Sequence, residues 1–262
     1  GDSKDRTLSI VTKTLSKGGR NVRIYSDRGG GLGKARQIVV ENAHGSYIIW
    51  VDGDVVLLKD LVKRHVEFLR KNPRVGVAVG EYVNLGGTLV ASLQSLRKHA
   101  VYSGHTPKRG VPPPDANGAI YLVQAVRDVG GFDQNIKGAG EDLDLIMRIV
   151  RNGWLFCLNR RAKFRHAFKD TWRDLWAEQF WFGYGHHYLK HKHKDLISLW
   201  RSAPPLSFPF GLKRASDAYR LTSKKKSFLL PLLFLFENVG MWCGFMRGHL
   251  NHYVPRESDN EA

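Results

Sequence analysis

The sequence predicts an α/β fold, a mostly parallel sheet flanked by helices with a helical C-terminal region attached. Three observations carry that reading. Short runs rich in β-branched and aromatic residues alternate with stretches whose apolar residues recur at helical spacing. One run, Tyr47-Ile48-Ile49-Trp50-Val51, passes directly into Asp52-Gly53-Asp54. That is the carboxyl end of a strand, where open α/β sheets bind ligands. Beyond about residue 169, aromatic and basic residues interleave and then give way to one long apolar run.

The elements follow in order. A helix is expected over residues 8–16, ended by Gly18-Gly19. Val22-Arg23-Ile24-Tyr25 reads as a short strand. Leu32, Ala35, Val39 and Ala43 recur at helical spacing, so residues 32–43 form an amphipathic helix. Residues 47–51 read as a buried strand. Residues 58–71 read as a helix stopped by Asn72-Pro73, because the residue before a proline is pushed out of helical geometry. Strands are expected at 75–79, 118–123 and 154–158. Residues 124–129 make a helical turn or two, closed by Gly130-Gly131. Leu143, Ile146, Met147 and Val150 line one face of a helix from about Glu141 to Gly153. Residues 85–114 show no clear periodicity, apart from the stiff piece Val111-Pro112-Pro113-Pro114.

The chain has 262 residues, enough for one α/β domain and an appendage, and its 42% hydrophobic content excludes wholesale disorder. Lys+Arg 41 against Asp+Glu 24 gives a net charge of +17. An excess of that size calls for an acidic partner: nucleotide phosphates, anionic lipid or nucleic acid. Cys157 and Cys243 lie far apart and form no metal-spacing motif, so a reducing compartment is expected. No signal-peptide pattern opens the chain.

Two acidic clusters carry the chemistry. In extended chain, residues two apart face the same way, so Asp52 and Asp54 can address one ligand. Paired hard oxygens suit Mg²⁺ or Mn²⁺, which in turn holds phosphates; a polar strand end with a turn is the plain alternative. Gly140-Glu141-Asp142 opens a helix, where the macrodipole keeps a carboxylate ionised and able to serve as a general base. Simple capping is the alternative there, and Asp144 points elsewhere on the helix. A neutral His166 could complete a metal site with Asp54, or be an ordinary surface histidine. Arg160, Arg161 and Arg165 could meet a diphosphate or be solvated charge. Gly29-Gly30-Gly31-Leu32-Gly33-Lys34 departs from a phosphate loop, with Arg28 at its first glycine and Ala35 after the lysine. It reads as a flexible lead into a helix, with Arg36 better placed to touch an anion. The histidines at 186, 187, 191 and 193 lack clean ligand spacing and read as a basic interfacial face.

Taken together, Asp2-Ser3-Lys4-Asp5-Arg6-Thr7, Gly33-Lys34-Ala35-Arg36-Gln37, residues 47–54, Asn117-Gly118-Ala119, Gly130-Gly131-Phe132-Asp133 and Gly140-Glu141-Asp142-Leu143-Asp144-Leu145 resemble family 2 glycosyltransferases of the GT-A fold, from residue 1 to about 166. The resemblance implies an inverting, metal-dependent transfer of sugar from a nucleotide-diphosphate donor. On that basis Asp2, Arg36, Asp52 and Asp54 bind the donor, and Asp54, Asp52 and His166 hold Mn²⁺ or Mg²⁺. Asp142 deprotonates the acceptor hydroxyl, with Glu141 supporting or sharing that role. The metal would neutralise the departing diphosphate while the base sharpens the attacking oxygen.

Three departures shape the expectation. The family normally opens with two more strands and a helix, so this sheet is expected to be N-terminally truncated and to lack its first strands. Gln37 stands where asparagine is usual. Processive members carry Gln-x-x-Arg-Trp, whereas this chain has Glu178-Gln179-Phe180-Trp181-Phe182, so transfer of a single sugar is expected. The expected organisation is a catalytic domain over 1–168, a basic aromatic-rich helical region over 169–223, an apolar segment over 224–250 and a polar tail over 251–262. The apolar segment reaches the length of a spanning helix but equally suits an interfacial one, and Lys224-Lys225-Lys226 precedes it. The expected partners are therefore a nucleotide-diphosphate sugar, a glycan or lipid-linked acceptor and the cytoplasmic face of a membrane, with no nucleic acid. Three further readings compete. A nucleic-acid-binding module explains the charge but not the acidic pairs. A nucleotidyltransferase would want a glycine-rich basic loop. A membrane scaffold would carry an inactive domain of this fold.

Overall fold

A computed structural model describes residues 5–16, 22–83, 87–103, 117–194 and 204–255. Asp2 and the Val111-Pro112-Pro113-Pro114 piece lie outside those residues. In chain order the elements are α1 (Thr7–Ser16), α2 (Leu32–Glu41), β1 (Tyr47–Ile49), β2 (Val55–Leu57), α3 (Leu61–Lys71), β3 (Val75–Val83), α4 (Leu89–Ser103), β4 (Ala119–Leu122), α5 (Val123–Arg127), α6 (Glu141–Arg151), β5 (Leu155–His166), α7 (Trp172–Lys192), α8 (Pro204–Thr222), a 3₁₀ turn (Lys225–Leu229) and α9 (Leu230–Leu250).

The strands form one sheet in the order β1-β4-β3-β5-β2. The centre of β3 is wholly buried, because it is covered on both faces. On one face Val77, Val79, Ala119 and Tyr121 pack with Leu145, Ile146 and Ile149 of α6. On the other, Ala78 and Ile120 pack with Leu69 of α3. Gly118 sits at φ 65°, and a Cβ there would run into the Phe164 ring, so only glycine fits where β4 begins beneath β5.

The expected parallel pairing holds for β3 with β5, whereas the other three pairs are antiparallel. The hydrophobic runs report burial on both faces but not strand direction. The Val22-Arg23-Ile24-Tyr25 strand is not formed: Val22, Ile24 and Tyr25 are exposed and, among the described residues, have no neighbouring strand to complete a ladder. The strand at 154–158 instead runs to His166, passing an irregularity where Gly80 pairs with Asn159 and Glu81 with Lys163. His166 therefore ends a strand rather than following a loop, and β2, unanticipated, pairs with this extension. The unreadable middle contains α4, whose Val90, Leu93, Leu96 and Ala100 are buried against α7, α8 and α9.

The C-terminal helices form a second packed layer. Helices α7 and α9 run in the same direction: Gly240 faces Trp176 and Gln179, Gly244 faces Phe180, and Gly248 faces His187. A Cβ at Gly244 would overlap the Phe180 carbonyl, and one at Gly183 the Met241 carbonyl, so the small residues set this close approach. Glu237 of α9 is buried and ion-pairs with Arg97 of α4 at 2.9 Å. The segment Lys225–Leu250 is long and apolar enough to cross a membrane, but 39% of its most apolar stretch is buried within the protein. The expected basic face of histidines is not present as such. His187 and His193 are both buried: one ring contacts the Tyr253 carbonyl at 2.8 Å and the other the Asp144 carboxylate at 2.8 Å.

Candidate active site

The site is assembled where α2, the segment after β1 and the start of α6 meet. Arg36 lies on the buried side of α2, next to Gly33, whose missing Cβ lets the helix press onto the Asp133 backbone. This explains the glycine there by packing rather than by phosphate binding. The Arg36 guanidinium donates to Glu141 Oε1 at 2.6 Å and to Asp52 Oδ1 at 3.4 Å. It also stands 5.5 Å from the Trp50 ring centroid and 5.9 Å from that of Phe132, and these two rings meet edge-on at 5.4 Å. Burial opposes its charge, but Glu141, Asp142 and Asp52 outweigh it and hold Arg36 firmly protonated.

Arg36 thus ties the two acidic clusters together, although Asp52 and Glu141 are 89 positions apart in sequence, as the residue numbers show. Glu141 is 2% exposed. Burial and then the neighbouring Asp142 charge push its carboxyl up to about 7, with Arg36 pulling the other way. Asp142, on the same turn, is only half-buried, and its Oδ1 accepts from the Leu143 N–H at 2.7 Å.

The loop beneath Phe132 is locked from two sides. Gln37 Oε1 accepts from the Phe132 N–H at 2.8 Å. Arg148 of α6 donates to the Val129 and Gly131 carbonyls at 2.6 and 2.7 Å. Arg148 also grips Asp144, which is fully buried and meets His193 at 2.8 Å and Lys192 at 3.0 Å. Burial alone would raise the Asp144 carboxyl, but His193, Arg148 and Lys192 together hold it well below the usual carboxylate range. Lys192 bridges to Asp133 at 2.6 Å, which Tyr188 also contacts at 3.1 Å. The last turn of α7 is therefore fastened to the first turn of α6.

Asp54 forms a second grouping. Its Oδ2 lies 3.4 Å from His166 Nε2 and 3.7 Å from Lys169 Nζ. The His166 hydrogen bond lowers the Asp54 carboxyl against the effect of burial, and Lys169 adds to it. Lys169 also reaches Glu178 of α7 at 3.4 Å. The other ring nitrogen of His166 is buried and, among the described residues, has no partner.

The structure thus places Arg36, Asp52, Glu141 and Asp142 around one point and Asp54 with His166 at another, while Asp2 lies outside the described residues. Asp52 turns to Arg36 rather than completing a triad with Asp54 and His166. Among the described residues no three His, Cys, Asp or Glu side chains are drawn together as a metal cage. Asp54 and His166 still offer one oxygen and one nitrogen donor. A hard divalent cation suits that pair if a diphosphate and water supply the remaining ligands, which is the usual habit of Mg²⁺ and its relatives. Of the three arginines on β5, Arg160 pairs with Glu81 at 3.5 Å, and Arg161 and Arg165 are exposed, in line with solvated charge. Sequence reasoning missed Lys169, which it set just past a boundary, and the Trp50–Phe132 shelf, whose rings come together only in the fold.

No curated protein matches the chain. Among solved structures, the mannosyltransferase PcManGT from Pyrobaculum calidifontis, in complex with GDP-Man and Mn2+, superposes with a TM-score of 0.63 at 15% identity, covering 95% of this chain and 76% of that one. Weaker likenesses are to S. aureus TarS, at a TM-score of 0.47, 16% identity and coverage of 93% and 47%. A TarS fragment in complex with UDP gives 0.46, 17%, 96% and 79%. Residues 1–130 match the model of Glycosyl transferase family 2, and the chain has the GT-A fold.

Proposed function

We propose that the protein is an inverting glycosyltransferase that moves a single sugar from a nucleotide-diphosphate donor to a hydroxyl acceptor, a glycan or lipid-linked saccharide at the cytoplasmic face of a membrane. The observation that carries this reading is the Arg36 bridge, which gathers Asp52 from one cluster and Glu141 from the other around a single guanidinium. The match of residues 1–130 to the model of Glycosyl transferase family 2 supports sugar transfer. The GDP-Man and Mn2+ present in PcManGT support a nucleotide-sugar donor and a divalent cation.

The residues divide the work by burial. Glu141 is buried and spent on Arg36, so it positions rather than abstracts. Asp142 is half-buried on the same turn and takes the acceptor proton as the oxygen attacks the anomeric carbon. Arg36, fixed over Trp50 and Phe132, orients the donor. Asp54 and His166 would hold Mn²⁺ or Mg²⁺, which would supply charge neutralisation for the departing diphosphate. Residues 1–168 act as the catalytic unit, and the remaining helices brace it and carry it to the membrane. The two free cysteines, one half-buried and one exposed, accord with a reducing compartment.

The test is transfer and donor hydrolysis by the intact protein with Mn²⁺, with Mg²⁺ and with chelator, beside Asp54→Asn and Asp142→Asn. The proposal expects cation-dependent turnover lost in both variants. Donor binding without turnover under every condition would replace it with the inactive-scaffold reading.

A further inference from the structure

We propose that the protein seats on an anionic bilayer surface through the face formed by α8, the Lys225–Leu229 turn and the first turn of α9, without crossing the bilayer. This deepens the membrane part of the proposed function and stands apart from its sugar-transfer part. On α8, Phe208, Leu212 and Tyr219 are four and seven residues apart and share one side, with 41%, 54% and 39% exposure. The Tyr219 ring meets Phe228 of the 3₁₀ turn at 5.1 Å. Phe228 and Leu232, one turn apart, are 60% and 57% exposed. Gly211 abuts Pro231, which draws the two ends of the stripe together. The result is one apolar ridge left facing solvent.

Cations flank the ridge. Lys213, Arg220, Lys224, Lys225 and Lys226 are all exposed, and Asp217 is the single acidic residue between positions 208 and 232. Apolar side chains that reach inward, rimmed by lysines at headgroup level, suit an anionic interface. A second copy fits poorly: a two-fold pairing would set lysine against lysine, and protein interfaces are depleted in that residue.

The spanning alternative conflicts with the packing of α9. Its glycine side is filled by α7 and its Glu237 is paired with Arg97 of α4. Helix α7 carries Glu178, bound to Lys169, and Lys192, bound to Asp133 and Asp144. To cross hydrocarbon, α9 would have to leave these partners or take their charges with it.

The experiment is flotation of the intact protein with vesicles of phosphatidylcholine alone, or of phosphatidylcholine and phosphatidylglycerol in equal parts. Binding is expected on the anionic vesicles and reversed by alkaline carbonate. Replacing Lys224, Lys225 and Lys226 together by alanine weakens it roughly a hundredfold, at about fivefold per lysine. Phe228→Ser with Leu232→Ser weakens it about tenfold or more. Thermal unfolding stays unchanged in the lysine variant, whose side chains are exposed, and falls only slightly in the other, which loses the Phe228–Tyr219 ring contact. Carbonate-resistant binding, or binding indifferent to these variants, would overturn the proposal. So would a dimer in solution that dissociates on Phe228→Ser while vesicles are ignored. No donor enters this assay, so its failure would leave the sugar-transfer reading standing, and the reverse holds too.

Discussion

Glu141→Gln is the perturbation that probes the junction of the two acidic clusters most directly. Raising a carboxyl from 4.5 to about 7 weighs about 3 kcal/mol against the ionised folded state. Below pH 4.5 the carboxyl is protonated in both folded and unfolded chains, and the penalty is absent. Between 4.5 and about 7 the unfolded chain ionises while the folded one keeps its proton, so this residue makes stability fall as pH rises. Above about 7 both are ionised and the penalty is complete. Glutamine keeps the shape and an acceptor for Arg36 but cannot ionise. Urea unfolding of wild type and Glu141→Gln should therefore give a stability difference that shifts by about 3 kcal/mol across this range, in favour of the variant at the high end. A difference that stays constant with pH would refute the buried, Asp142-opposed environment assigned to Glu141.

Other outcomes follow from the same packing. Asp144→Asn leaves Lys192, Arg148 and His193 around a neutral group and should cost about 3–5 kcal/mol by chemical denaturation. Because the Asp144 carboxyl is held below its ordinary value, wild type loses this contribution as pH falls through and below the usual carboxylate range, and the variant does not. Asp54→Asn should change stability by less than about 1 kcal/mol, since Asp54 and Lys169 are each about a third exposed, yet lower cation-dependent transfer by about a hundredfold. Gly244→Ala forces a methyl onto the Phe180 carbonyl and should cost about 1–3 kcal/mol, seen as a lower melting temperature with the donor-binding constant unaltered.

Much of this was legible in the sequence because local pattern and packing agreed. The 3.6-residue period of Leu143, Ile146, Met147 and Val150 located α6, and the break at Asn72-Pro73 located the end of α3, since each reflects one buried face or one steric rule. Strand direction was not legible: β4 is as apolar as a parallel strand, but it pairs antiparallel with both neighbours. Val22-Arg23-Ile24-Tyr25 has strand composition and lacks a described partner, which no local pattern can supply. In the site, the two acidic clusters stood out as sequence motifs, and Arg36 as a cation near them. That Arg36 spends its charge on Glu141 and Asp52 depends on α2 packing beside α6, a contact of high sequence separation. The fastening of Lys192 and His193 to Asp144 was hidden for the same reason, and a run of basic residues at a helix end gave only the appearance of a solvated face.

The central claim is that residues from both acidic clusters serve one donor. Crystals of the intact protein grown with Mn²⁺ and a nucleoside diphosphate would test it most directly, by anomalous scattering from the cation. A single Mn²⁺ bound by Asp54 and the diphosphate, with Arg36 and Asp142 facing the same cavity, is the expected result. Mn²⁺ and nucleotide bound away from Asp54, or Asp142 facing a surface that the nucleotide cannot reach, would contradict it.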